Sequence, residues 1–173
     1  SFMAIKLGDV TTNERAKNAG KIEERTNQSL RLEVDEMDLQ AGQEVIVNFR
    51  GINFEQIEGY QFSLKFDNSM LSYVGIESSK LTVNETNFGE RYVDKGILTT
   101  SWNSNKGESA GRQEVLFRLK FRVLRNGILS HAMMIGSEVT PAQAYNSRGE
   151  VMDVVMQARN GNTEQTTGIF ELY

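Results

Sequence analysis

The chain has no cysteine, and only one proline (Pro141), one histidine (His131) and one tryptophan (Trp102) in 173 residues. The absence of cysteine excludes a disulfide framework, thiolate zinc sites, iron–sulfur ligation and a cysteine nucleophile. One histidine excludes a catalytic histidine pair, so any metal site would have to be built from carboxylates. No apolar run approaches the roughly 20 residues of a membrane-spanning helix, and no signal peptide is visible, so membrane insertion is not expected. Neither acids nor bases dominate the charge. Against 23 acids stand 19 bases, and a net charge of -4 argues against nucleic acid as a partner.

What is present is enough chain for one domain, 39% hydrophobic and carrying 15 glycines. From Leu30 to Val155 the apolar period is two. Leu30, Leu32 and Val34 alternate with Arg31 and Glu33; Val45, Val47 and Phe49 with Ile46 and Asn48. Tyr60, Phe62, Leu64 and Phe66 oppose Gln61, Ser63 and Lys65, and Val115, Phe117, Leu119, Phe121 and Val123 oppose Leu116, Arg118, Lys120 and Arg122. This predicts strands with one face in a core and one in water, hence antiparallel sheets. Ala41-Gly42, Asp67-Asn68-Ser69, Lys95-Gly96, Asn126-Gly127 and Arg148-Gly149 punctuate the runs as turns. Further strands are predicted at 70–76, 97–102, 131–135 and 151–157, a short one around 80–83, and a single helical turn near 141–145. Eight or nine strands with two apolar faces make an all-β, two-sheet sandwich. Residues 1–27 read as an N-terminal arm, 28–157 as the sandwich, and 158–173 as a linker leading into a further module.

Chemistry is thinner than architecture. Asp35, Glu36 and Asp38 place oxygen ligands close together, but without the glycine and length of a calcium loop, so they are only a weak cation candidate. Tyr73, Tyr92 and Trp102 are the aromatics that could stack on sugar rings if exposed. The polar stretch 103–111 reads as a long loop at one end of the sandwich. The solvent side of the strand at 115–123 carries Arg118, Lys120 and Arg122 as a basic stripe, able to pair with Glu33 or Glu44 on neighbouring strands or to meet an acidic partner. On the same phasing Ile46 and Leu116 point outward, and together with the stripe they form the expected protein-binding face. No catalytic set and no cofactor is expected.

The order of the strands resembles a family. Leu32-Glu33-Val34, then Ala41-Gly42-Gln43-Glu44-Val45-Ile46-Val47-Asn48-Phe49, is similar to the opening of a cohesin-like domain. The run from Gly59-Tyr60-Gln61-Phe62 to Leu71-Ser72-Tyr73-Val74-Gly75-Ile76 and the later strand Phe117-Arg118-Leu119-Lys120-Phe121-Arg122-Val123 continue it, over about residues 29 to 157. The resemblance implies a nine-stranded jelly-roll sandwich, shared with certain carbohydrate-binding modules. It also implies non-catalytic binding of a dockerin-like or other protein module by one sheet face, with polysaccharide binding and an inert spacer as alternatives. The stretch 101–111 resembles the form found in surface proteins of Bacteroidetes-type bacteria. Ile5-Lys6-Leu7-Gly8-Asp9-Val10 is similar to a phrase closing dockerin-like segments, and Gly168-Ile169-Phe170-Glu171-Leu172-Tyr173 resembles the lead-in to a type IX sorting domain. Together they imply a module of a secreted or cell-surface multidomain protein.

Overall fold

The computed structural model describes the backbone of residues 24–160 and the side chains of residues 28–160. Residues 1–23 and 161–173, and with them the phrases 5–10 and 168–173, lie outside the described residues. The strands are β1 (Glu24–Asp35), β2 (Asp38–Leu39), β3 (Glu44–Ile52), β4 (Ile57–Phe66), β5 (Leu71–Ser78), β6 (Phe88–Gly89), β7 (Ile97–Glu108), β8 (Val115–Val123), β9 (Gly127–Ile128), β10 (Met133–Gly136), β11 (Gln143–Asn146) and β12 (Glu150–Arg159). Ten of them form one hydrogen-bonded path, β5-β8-β3-β1-β12-β11-β4-β7-β6, with β10 also on β4; β2 and β9 pair separately. The path curls until its two halves face each other as a sandwich, the jelly-roll-like architecture expected. Its ladders are antiparallel except where β1 meets β12, which run parallel.

The period-two residues build the core as their spacing requires. Leu30, Leu32, Val47, Phe49, Phe62, Leu64, Leu119 and Phe121 are buried. Rings from opposite halves interlock: Phe117 of β8 lies 6.4 Å from Tyr60 of β4 and 5.7 Å edge-on from Phe88 of β6, and Phe66 of β4 meets Phe121 of β8 at 5.3 Å. Because the rings come from both layers, their burial holds the halves together.

Five local expectations need correction. Leu116 does not point outward: it is fully buried. Arg50 pairs with Val115 and Phe49 with Phe117, so Leu116 is the extra residue of a β-bulge, and the bulge turns two successive side chains inward. The stretch 103–111 is not a loop throughout, since β7 runs on to Glu108. No strand forms at 80–83; Leu81 and Val83 are buried in a segment whose Lys80 and Leu81 N–H groups donate to the Val115 and Leu116 carbonyls, and the strand falls at Phe88–Gly89. The residues near 141–145 form strand β11 rather than a helical turn, because they bridge β12 and β4. His131 closes a short 3-10 turn, and the strand that was expected to start there begins at Met133.

The β4–β5 turn is fixed by a carboxylate. Asp67 Oδ1 accepts the Ser69 N–H (2.9 Å) and the Ser69 hydroxyl (2.6 Å), and Arg125 lies 3.5 Å away. The Ser69 bonds, with a smaller contribution from Arg125, hold its carboxyl below the ordinary value of 3.8. A depressed carboxylate stabilises the fold above the unfolded-state pKa, and that contribution disappears as pH falls through the lower folded value. Asp67→Asn keeps the acceptor and removes the charge. The variant is therefore expected to melt below the parent at neutral pH, with the gap closing below about pH 4. Melting curves across that range check this; a gap independent of pH would refute it.

Candidate functional site

Among the described residues no catalytic cluster is formed, and the two outer sheet faces are the broad surfaces the fold presents. On the β5-β8-β3 face the registers align Glu44 with Arg122 and Ser72, Ile46 with Lys120 and Gly75, and Asn48 with Arg118 and Glu77. The expected basic stripe is therefore outward, with Ile46 44% exposed within it. Its cations are engaged across the strands. Lys120 Nζ is 3.7 Å from Glu77, Arg122 is 3.9 Å from Glu44, and Arg118 reaches the Ser78 carbonyl at 3.5 Å. Such exposed pairs contribute little stability, but they leave the face mixed in sign rather than basic. Leu116, beneath the bulge, takes no part in it.

Glu33, the other expected partner of the stripe, lies elsewhere. It is 1% exposed on the outer side of β1, under the turn 109–114. Gln157 Nε2 donates to its Oε2 at 2.8 Å and Arg112 Nη2 at 3.2 Å, while Arg159 lies 3.8 Å from Oε1. The weak cation candidate dissolves into the same chemistry. Asp35 pairs with Arg50 (2.9 Å) and Arg159 (3.3 Å), and Glu36 Oε1 accepts the N–H groups of Met37 and Ser130. Asp38 is exposed on β2. Among the described residues no group of three or more His, Cys, Asp or Glu is placed to hold a metal ion.

The aromatic candidates separate as well. Trp102 is only 6% exposed, stacked on Tyr60 at 5.3 Å, and cannot offer a ring face. Tyr73 is half-buried with its edge against Phe121, and burial, aided by Glu90 and Glu85, pushes its phenol up. Tyr92 precedes a 3-10 turn, with the Arg91 guanidinium 5.6 Å from its ring centre.

The opposite outer face, on β11-β4-β7, is built differently. Registers align Tyr145 with Gly59 and Asn103, Gln143 with Gln61 and Ser101, and Ser63 with Thr99. None of these residues is charged. By strand geometry the rows make a ledge about 10 Å across and 13 Å long. One end is bordered by the segment 137–142 between β10 and β11. Its Val139 and Thr140 N–H groups donate to Ser63 Oγ (3.4 and 3.1 Å), and Glu138 pairs with Lys65 at 3.0 Å. That lysine hydrogen bond holds the Glu138 carboxyl below its ordinary range. At the other end Tyr145 is 42% exposed, and its ring lies directly over Gly59. A Cβ on residue 59 would sit 2.5 Å from the ring's Cζ and Oη, so only glycine lets the ring lie flat on the sheet. Sequence reasoning missed this platform, because its two halves lie on strands far apart in the chain.

The profile of the cohesin domain family matches residues 30–158. Among solved structures, the sixth cohesin of Acetivibrio cellulolyticus scaffoldin B, in complex with a Cel5 dockerin variant, is 15% identical. The match covers 75% of this chain and 95% of that one, at a TM-score of 0.57. A non-cellulosomal cohesin from the hyperthermophilic archaeon Archaeoglobus fulgidus is 18% identical over 75% of this chain and 86% of its own, at 0.56. The OlpC cohesin of Clostridium thermocellum, in a type I complex with a dockerin, is 14% identical over 78% and 92%, also at 0.56. At such identities the likeness is one of fold. No curated protein matches.

Proposed function

The chain belongs to the cohesin domain family, and we propose that it is a non-catalytic docking module whose partner is a dockerin-type protein module. The observation that carries the site is the uncharged ledge with Tyr145 laid on Gly59. Interface cores are depleted in charge and enriched in tyrosine, and a large ring held rigidly loses little entropy when a partner covers it. The β5-β8-β3 face would instead require a partner to compete with cross-strand ion pairs already made. Arg118, Lys120, Arg122 and Ile46 are therefore the second reading of the docking surface. The setting within an exported, Bacteroidetes-type surface protein rests on the resemblances at 5–10, 101–111 and 168–173 and belongs to the same proposal.

Calorimetry with dockerin-type modules of the source organism tests the proposal at tens of micromolar. Saturable binding is expected. Tyr145→Ala should weaken it by about thirtyfold, the scale of a hot-spot ring. Gly59→Ala, which lifts the ring, should act in the same direction, and Arg122→Glu on the opposite face should change affinity by less than about threefold. Absence of heat with every module would end the dockerin reading. Loss of binding in Arg122→Glu with Tyr145→Ala silent would move the site to the basic face.

A further inference from the structure

A second site lies where β7 outruns its neighbour. Strand β6 pairs with β7 only at Phe88–Thr100 and Gly89–Thr99, so beyond Ser101 no strand among the described residues lies beside that edge of β7. On the β4 side Gly59 aligns with Asn103 and Ile57 with Glu108, so residues 104–107 are extruded as a corner. The corner is tied by Ser104, whose hydroxyl donates to the Lys106 carbonyl at 2.6 Å and accepts its N–H at 3.3 Å. Gly107 packs so closely on Gln56 that a Cβ there would come within 2.6 Å of the Gln56 carboxamide, and Gln56 itself is held at φ +52. A non-glycine residue in that region costs on the order of 1 kcal/mol, which marks a corner kept in place by its surroundings.

Between this corner and residues 80–82 opens a cleft of about 620 Å³. Its walls carry Lys80, Thr82, Asn103, Asn105 and Glu108, and Trp102 closes it from the core side. Among the described residues no hydrogen bond or ion pair engages the side chains of Lys80, Asn103, Asn105 or Glu108, or the Trp102 indole N–H. Trp102 as a whole is 6% exposed, and a tryptophan so placed ordinarily finds a partner for its N–H. Trp102 itself lines a cleft surrounded by free amides and one charge of each sign.

We propose that this cleft binds a saccharide, about one or two rings of a neutral glycan, a size suited to a cavity of this volume. Amides, a hydroxyl, an ammonium and a carboxylate supply donors and acceptors for sugar hydroxyls, and Lys80 and Glu108 together leave the site without net charge. The indole contributes its N–H and edge; its face is already covered by Tyr60. An extended peptide could also pair with the open β7 edge, but strand addition draws its specificity from pockets for alternate side chains, and these walls are polar. The cleft meets the ledge at Asn103, but it stands on its own lining and does not depend on the dockerin reading.

Trp102 is the only tryptophan in the chain, so its emission reports on this cleft without labelling. The test is titration of the whole chain with cellobiose, maltose and N,N′-diacetylchitobiose, each to about 20 mM, a range that reaches weak sites. At least one disaccharide should give a saturable change in emission. Asn105→Ala and Glu108→Ala should each weaken it about tenfold while the melting temperature stays within about 2 °C of the parent. Tyr145→Ala should leave it unchanged. The proposal is overturned if none of the three sugars gives a saturable change, if both cleft variants bind as the parent does, or if only an extended peptide perturbs Trp102.

Discussion

Phe117→Ala is expected to destabilise the domain by about 3–5 kcal/mol, the range for emptying a buried aromatic site. Phe117 is fully buried and touches rings of both halves of the sandwich: Phe49 stacks on it at 4.8 Å within its own layer, and Tyr60 and Phe88 reach it from the other. The hole would open between two hydrogen-bonded layers, and neither can move in to fill it without breaking ladder bonds. Collapse is therefore limited, and the cost should lie toward the upper end of the range. For a domain of this size that is a fall in melting temperature on the order of 10 °C. Phe117→Leu retains most of the volume and should cost under about 2 kcal/mol. Chemical denaturation of both variants checks the pair. A loss below about 1 kcal/mol for Phe117→Ala would show that the layers can close over the gap and that this ring does not join them.

The same strand shows what the sequence makes legible and what it does not. Alternation in β3, β4 and β8 identifies their inward faces because each residue's side is set by its neighbours alone. A bulge breaks that rule without a local mark. Leu116 reads as outward by counting from Phe117 and is buried because one extra residue enters β8 opposite β3. Val74 is the corresponding extra residue in β5, where Tyr73 pairs with Phe121 and Gly75 with Lys120. The parallel ladder of β1 with β12 joins residues more than a hundred positions apart, so nothing in either segment announces it. The Tyr145 platform fails to show for the same reason. Gly59 looks like a weak point in a strand until β11 is laid beside it, and Pro141 just before β11 suggests a turn instead. The basic stripe was visible as residues facing outward, and Glu44 was a readable partner for Arg122. Glu77, the partner of Lys120, depended on β5 flanking β8, which alternation does not specify.

Glu33→Ala should cost about 3–5 kcal/mol although the residue stands on the polar side of its strand, because it leaves buried cations facing one another. Arg159, whose side chain is 10% exposed, lies between Glu33 and Asp35, and Arg50 reaches the other oxygen of Asp35. Arg112, on the turn 109–114, closes over Glu33, and Gln113 of the same turn accepts from Arg159 at 3.3 Å. Removing the Glu33 carboxylate leaves the buried guanidinium groups of Arg50 and Arg159 sharing Asp35, while Arg112, at 45% exposure, can turn to water. Desolvation of the Arg159 guanidinium, 10% exposed, has already been incurred, so its loss of a partner is not compensated by water. Glu33→Gln keeps an acceptor for Gln157 or Arg112 and should lose less than the alanine variant. Replacing Glu33 and Arg159 together with methionine removes both charges and fills the space, and should recover most of the loss. The four proteins form a double-mutant cycle, with an expected coupling of at least about 1.5 kcal/mol. A coupling below about 0.5 kcal/mol would mean that Glu33 and Arg159 are buried side by side without depending on each other. Dockerin-type binding at the Tyr145 ledge should be unaffected in every member that remains folded. The network sits on the outer side of β1 and β12, at the end of β12 away from the rows that carry Tyr145 and Gln143, and it holds that part of the sheet together.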